Sequence, residues 1–191
     1  MKKYKVEIVG VTPYMQHRMD EVSLEEWEKK RGKIIERKDV EKEDVVRANF
    51  HMFRDEKGKP YLPAEHIRGA LINAGAFVKA KVGNSKRSMK NIVAAMFDVK
   101  PDKINCLPET WTIDKRTAFN RSVKARIIVI RPKWNDWKAN FEVLVDNDTI
   151  TDATVRDILD YAGKYCGIGS FNPIHTGKFG RFKVTQFDRL K

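Results

Sequence analysis

Val155, Ile158, Leu159, Ala162 and Cys166 recur at i, i+3, i+4, i+7 and i+11, which puts one apolar stripe on a helix capped by Thr151 or Asp152. Gly167 then stands in the position where helices commonly stop. The run that follows, Gly167-Ile-Gly-Ser-Phe-Asn-Pro-Ile-His-Thr-Gly-Lys-Phe-Gly-Arg-Phe-Lys-Val184, holds Gly167, Gly169, Gly177 and Gly180 within fourteen residues. It leads into a strand pattern from Phe179 to Phe187, with Phe182, Val184 and Gln186 on one face. A helix with one apolar face must bury it, and a strand directly downstream supplies a sheet to bury it on. Glycines at this density demand unusual backbone angles or close approach. Such a loop either presents N–H groups to a phosphate or makes a tight helix-to-strand connection. It is not a dinucleotide fingerprint, because position 172 is Asn and the helix precedes the strand; nor is it a phosphate loop of the Gly-Lys-Ser/Thr type.

The rest of the chain supplies partners for this unit. Residues 4–12 alternate like a strand, with Val6 and Ile8 facing one way and Glu7 the other. Ser23-Leu-Glu-Glu26 is a capping box, predicting a short helix with Leu24 and Trp27 inward. Residues 28–44 are charged with mixed sign and read as a solvated helix or a mobile insertion. Residues 48–62 read as a hairpin turning at Asp55-Glu-Lys-Gly58. Pro63 opens a helix whose face is Ile67, Ala70, Leu71, Ala74 and Val78, kept thin by Gly69 and Gly75. Gly83-Asn-Ser-Lys breaks it; Ser88 caps another helix with Met89, Ile92, Val93 and Met96 inward; residues 98–109 read as a loop. Trp111 and Ile113 alternate, Ile127 to Ile130 read as a buried strand, Trp134 and Trp137 bracket a turn as packing residues, and Phe141, Val143 and Val145 form the returning strand. The order strand, helix, strand, strand, helix, strand predicts one α+β domain over 1–191 with a ferredoxin-like or RRM-like βαββαβ core. Insertions fall at about 17–60 and 84–122. Such a plan leaves one sheet face open, where RNA usually lies.

Charge points the same way. Lys and Arg number 38 against 26 Asp and Glu, a net charge of +12. Residues 81–134 alone carry 13 basic and 4 acidic side chains, whereas residues 135–191 carry 8 of each. A field concentrated in one stretch suits a polyanion. Lys115, Arg116, Arg121, Lys124, Arg126, Arg131 and Lys133 are candidate phosphate partners. Phe119 among them either stacks on a base or anchors its loop to the core. Lys178 and Arg181 in the glycine loop, and Arg68 on the first core helix, join the candidate set.

The glycine run, with its G-x-G-S and G-x-x-G-R-F-x-V elements before the last strand, resembles the glycine-rich loop of RAMP proteins, the RRM-like subunits of CRISPR effector complexes. Tyr61-Leu-Pro-Ala-Glu-His-Ile-Arg-Gly-Ala-Leu71 is similar to the opening of the first core helix in RAMP backbone subunits. Residues 61–80 and 120–187 together resemble small stand-alone RAMP-like proteins of phages and mobile elements. The two motifs cover about thirty residues; the fold they imply covers most of the chain. The resemblance implies an RRM-like fold, binding of single-stranded RNA or DNA with little sequence preference, and stacking of copies along the strand, with a basic insertion at 115–126 in the place of the family's thumb. The chain departs from effector subunits in its small size and in its mixed-charge 17–60 segment.

Other classes are kept open or set aside by residue type. The four histidines, His17, His51, His66 and His175, are far apart in sequence, so the expectation is a protein that is not an enzyme. A metal-independent ribonuclease using His17 or His175 is the alternative, with Asp20 a further catalytic candidate lacking a visible companion. A second alternative is a protein-binding subunit or inhibitor that caps an effector complex. Cys106 and Cys166 form no C-x-x-C pair, no Cys/His pair has zinc spacing, and Asp146, Asp148 and Asp152 lack the glycine and final glutamate of a calcium loop. No cofactor or metal is expected. The chain shows no long apolar run and no apolar N-terminal block, which predicts a cytoplasmic protein without a membrane segment.

Overall fold

The computed structural model describes residues 1–18, 40–82, 85–120, 124–146 and 148–190. In chain order the elements are β1 (Lys2–Gly10), β2 (Tyr14–Met15), α1 (Val40–Phe50), β3 (Leu62–Pro63), α2 (Ala64–Gly75), β4 (Lys79–Val82), β5 (Ser85–Ser88), α3 (Lys90–Met96), β6 (Phe97–Lys100), β7 (Lys103–Ile104), β8 (Thr112–Asn120), β9 (Ala125–Trp134), β10 (Lys138–Val145), α4 (Asp152–Tyr161) and β11 (Phe182–Leu190). A π-helical turn, Ala162–Cys166, prolongs α4, and a 3-10 turn, Pro173–His175, sits inside the glycine loop. The fold is mixed α+β with antiparallel sheets.

The central sheet has the order β11-β1-β10-β6, with every neighbouring pair antiparallel. Its inward residues follow from strict alternation: Tyr4, Val6 and Ile8 on β1, Ala139, Phe141, Val143 and Val145 on β10, and Phe97 and Val99 on β6. Helices α2 and α4 cover that face, burying Ile67, Leu71 and Ala74 from one and Val155, Ile158 and Leu159 from the other in the same cluster. Thr151 caps α4 by accepting the Thr154 N–H at 3.2 Å, as its sequence announces. Cys166 is fully buried at the end of the stripe, and Gly167 leaves the helix at φ 67°.

Several boundaries differ from the sequence reading, each for a physical reason. Phe97–Lys100, of which 98–100 read as loop in the sequence, form the edge strand β6, so the stretch assigned to the second insertion contains α3 and a strand of the main sheet. What stands outside that sheet is the β8–β9 hairpin, paired from Thr112↔Lys133 to Asn120↔Ala125, with β2 added at its base. The Ile127–Ile130 run is therefore not a central strand: Val129 and Ile130 are buried, but Ile128 is 57% exposed. Phe50 ends helix α1 rather than starting a hairpin, although the Asp55–Gly58 turn forms and Asp55 accepts the Lys57 and Lys59 N–H groups. Helix α2 stops at Gly75, where a Cβ would press on the backbone of Met89 and Lys90 at the start of α3. On β11 a bulge at the Glu7/Ile8 register shift makes Phe187, not Gln186, face inward, where it stacks on Tyr4 at 4.9 Å. The Ser23–Glu26 capping box, Leu24, Trp27 and Asp20 lie outside the described residues.

Candidate nucleic-acid interface

Strand pairing sorts the basic candidates by face. Opposed residues share a face, so Asp114 and Arg131 stand together, as do Arg116 and Val129, while Lys115 and Ile130 point the other way. Lys115 pairs with the nearly buried Asp44 of α1 at 2.6 Å, which ties that helix to the hairpin. Arg116 donates through Nε to both oxygens of the buried Asp114 at 2.7 Å and lies over the rings of Phe179, at 4.7 Å, and Phe171, at 5.5 Å. Arg68 donates to the Phe97 carbonyl at 3.2 Å and the Ala94 carbonyl at 2.5 Å, satisfying the end of α3. Lys124, at φ 47°, and Arg126 are exposed at the hairpin tip, and Lys133 is half-buried at its base. Arg121 lies outside the described residues, and of Phe119 only the backbone is described.

The glycine loop spends many of its N–H groups on protein carbonyls, some its own and some of the β1–β2 segment. Gly167 donates to Ala162, Ile168 to Gly180, Ser170 to Met15, Gly177 to Asn172, Phe179 to Phe171 and Gly180 to Pro13. Gly180 sits at φ 72°, and a Cβ there would collide with the Ile168 carbonyl. The loop thus folds as a close-packed connection in which Gly167, Gly177 and Gly180 have no amide left over for a phosphate. Lys178, over the Phe179 ring at 5.7 Å, and Arg181 are exposed on it.

The loop, the hairpin base and the start of α2 enclose an open cleft of about 380 Å³, lined by His17, His66, Arg131, Ser170, Phe171 and His175, with Gly169 at its back. Three of the four histidines, remote in sequence, meet here. His66 bonds through Nδ1 to the Tyr14 hydroxyl at 2.8 Å, and burial pushes its pKa down to about 4. His17 stacks on His51 at 4.2 Å; burial, then His51 and Arg131, push it down to about 4 as well. His51 is likewise lowered by burial, against its bond to the Arg18 carbonyl at 2.9 Å. Nδ1 of His17 and Nε of Arg131 are buried without a hydrogen-bond partner. His175 is exposed and held by Asn172, whose Oδ1 lies 3.0 Å from its Nδ1. The sequence reading weighed His17 and His175 one at a time; it missed His66 and His51, which sit on unrelated segments with no shared spacing.

A second basic feature was missed too. The β4–β5 hairpin exposes Lys79, Lys81, Lys86 and Arg87. The signal was present, since two short runs flank the dipeptide Gly83-Asn84, a hairpin signature. The open face of the central sheet offers less than its plan suggests. It carries Lys3, Lys5, Lys100, Lys138 and Lys183 against Glu7, Asp98, Glu142 and Asp188, and no aromatic ring among the described residues. Without rings it lacks the stacking platform by which an RRM sheet holds bases. The carboxylates considered for calcium have other partners: Asp152 accepts from Tyr4 Oη at 2.8 Å, and Asp148 lies 3.6 Å from the terminal amine. Among the described residues no three His, Cys, Asp or Glu side chains gather closely enough to hold a metal ion, and no helix is long and apolar enough to cross a membrane.

No family model and no curated protein matches this chain. Among solved structures it is similar to a chain of the type III-B Cmr-beta complex bound to cognate target RNA, at 13% identity and a TM-score of 0.55, covering 100% of this chain and 61% of that one. It is also similar to a chain of a type IV-B CRISPR complex, at 14% identity and a TM-score of 0.46, covering 96% and 90%. The chain thus spans about three-fifths of the Cmr-beta complex chain it resembles, and the likeness is one of fold alone.

Proposed function

We propose that this chain is a ferredoxin-like, RRM-like subunit that binds single-stranded nucleic acid, RNA before DNA, without catalysing a reaction on it, as a component of a CRISPR-like assembly. The observation that carries the reading is the β8–β9 hairpin, a basic finger standing outside the central sheet beside the glycine loop. The order of the central sheet, with α2 among the three helices between β1 and β6 and α4 between β10 and β11 both packed on one face, supports the ferredoxin-like description. The phosphate contacts are Lys124, Arg126 and Lys133 on the hairpin, with Lys178 and Arg181 on the loop. Arg68, Lys115 and Arg116 leave the contact set because each is committed within the protein.

Fluorescence anisotropy on labelled 30-mers of single-stranded RNA, single-stranded DNA and duplex DNA tests this across a salt series. With about four phosphates neutralised, a slope near −0.7 per phosphate gives roughly fifty-fold weaker binding between 50 and 200 mM salt. Changing Lys124, Arg126 and Lys133 to Ala leaves Lys178 and Arg181, about two phosphates of slope at most, an effect of roughly sevenfold or less. A wild-type Kd independent of salt, or equal affinity for duplex, overturns the reading. A second reading, a metal-independent ribonuclease, is favoured by the meeting of His17, His66 and His175 in one cleft. Product formed from labelled RNA in EDTA and abolished by His175→Ala decides for it.

A further inference from the structure

The cleft between the hairpin base, the glycine loop and α2 holds one positive charge more than its neighbours neutralise. Asp114 is shared by Arg116, which takes both its oxygens, and by Arg131, which faces it across the ladder. His17, His51 and His66 add no charge near neutral pH, since burial holds all three below their ordinary value. The charged and titratable groups around His17 are thus Arg131 and Asp114 from the hairpin, His51 from the segment after α1, His66 from α2 and His175 from the loop. Two buried polar atoms in the wall, Nδ1 of His17 and Nε of Arg131, lack partners. A buried donor left bare is costly, and a native structure that keeps one generally completes it with a ligand, an ion or water. The surplus charge selects an anion. The volume, about 380 Å³, is at the low end of small-molecule sites and far larger than a bare phosphate needs.

We infer that this cleft is a binding site for a single nucleotide, with its phosphate on Arg131 and His17 and with Phe171 and Ser170 forming the wall beside it. The inference rests on the nucleic-acid reading above and adds a place where one unit of the strand, or its phosphorylated end, leaves the path over the hairpin tip. Binding a phosphate beside His17 stabilises the imidazolium, so filling the site raises the His17 pKa and is tighter in mild acid, where that ring begins to protonate.

The test uses the full chain with three probes: uridine monophosphate, uridine and inorganic phosphate. Calorimetry gives the affinities, and NMR follows the His17 ring through a pH titration with and without nucleotide. Uridine monophosphate binds at least tenfold more tightly than uridine, and at saturation the His17 pKa rises from about 4 by a unit or more. Inorganic phosphate produces the same rise with weaker affinity. Arg131→Met and, independently, His17→Gln each weaken nucleotide binding tenfold or more; the titration of unaltered protein stands if either variant fails to fold. Changing Lys124 and Arg126 to Ala leaves it intact. Equal affinity for uridine and its monophosphate overturns the inference. So does a His17 pKa that stays near 4 in saturating nucleotide, even while 30-mers bind. Tight, phosphate-dependent nucleotide binding without any 30-mer binding supports the cleft and removes the strand-binding reading instead.

Discussion

Arg68 shows how one side chain moves between roles once its surroundings are known. In sequence it belongs to a run resembling the opening of the first core helix of RAMP backbone subunits, and a cation there suits a phosphate. In the fold its guanidinium reaches the Ala94 and Phe97 carbonyls, groups that the short helix α3 and the turn into β6 leave unpaired. Charge-assisted hydrogen bonds contribute about 1.5–3 kcal/mol, more than an exposed phosphate contact adds at ordinary salt. Arg68→Ala therefore lowers stability by about 2 kcal/mol, read as a lower urea midpoint at unchanged m, and leaves RNA affinity within twofold. A tenfold loss of affinity with stability intact returns Arg68 to the interface.

Lys115 makes the parallel case for an element. Its bond to Asp44 joins β8 to α1, a helix whose exposed residues include Val45 and Val46 and whose buried residues include Ala48. Removing the lysine leaves a nearly buried carboxylate unpaired, a larger penalty than a surface pair carries. Lys115→Ala thus raises amide exchange across Val45–Phe50 roughly tenfold, about 1.4 kcal/mol of local opening, while the salt slope for RNA stays as in wild type. Unchanged exchange with a reduced slope reverses the assignment. The elements differ in how plainly the sequence announces them. Helix α4 is legible from Val155 to Cys166 because its stripe, cap and terminal glycine agree. Strand β1 is legible because Tyr4, Val6 and Ile8 alternate with polar residues. Strand β6 is not, because four residues ending against Pro101 have too little pattern to show, and their place depends on pairing with Val143 and Val145 more than forty residues away. The glycine loop is legible as a loop, but not the commitment of its amides to protein carbonyls, its own and those of Met15 and Pro13. The histidine cleft was illegible, because its parts come from four segments that only the β2–β9 pairing and the loop bring together.

At the scale of the whole molecule, the buried histidines couple folding to pH. His17 and His66 have native pKa values near 4, below the unfolded value of about 6.5, and His51 is displaced in the same direction. As pH falls from about 6.5 toward 4, the unfolded chain binds protons that the native state refuses, so stability declines through that window and is fully present above it. Asp152, whose carboxylate is held below its ordinary value by Tyr4 and neighbouring cations, acts only at lower pH and does not confuse the window. A displacement of this size corresponds to about 3 kcal/mol for a fully enclosed group; solvent access at the open cleft reduces that to about 1–2 kcal/mol for each of His17 and His66. The urea midpoint therefore falls between pH 7.5 and pH 5.0, and the combined His17→Gln and His66→Gln variant, if folded, shows a shallower fall. A wild-type midpoint that does not change over this range rejects the burial of these rings. Nucleotide bound in the cleft protects the native state most where His17 would otherwise resist its proton, so uridine monophosphate raises the midpoint more at pH 5.0 than at pH 7.5. His17, which lowers stability in mild acid, thus becomes the group through which the filled cleft restores part of it.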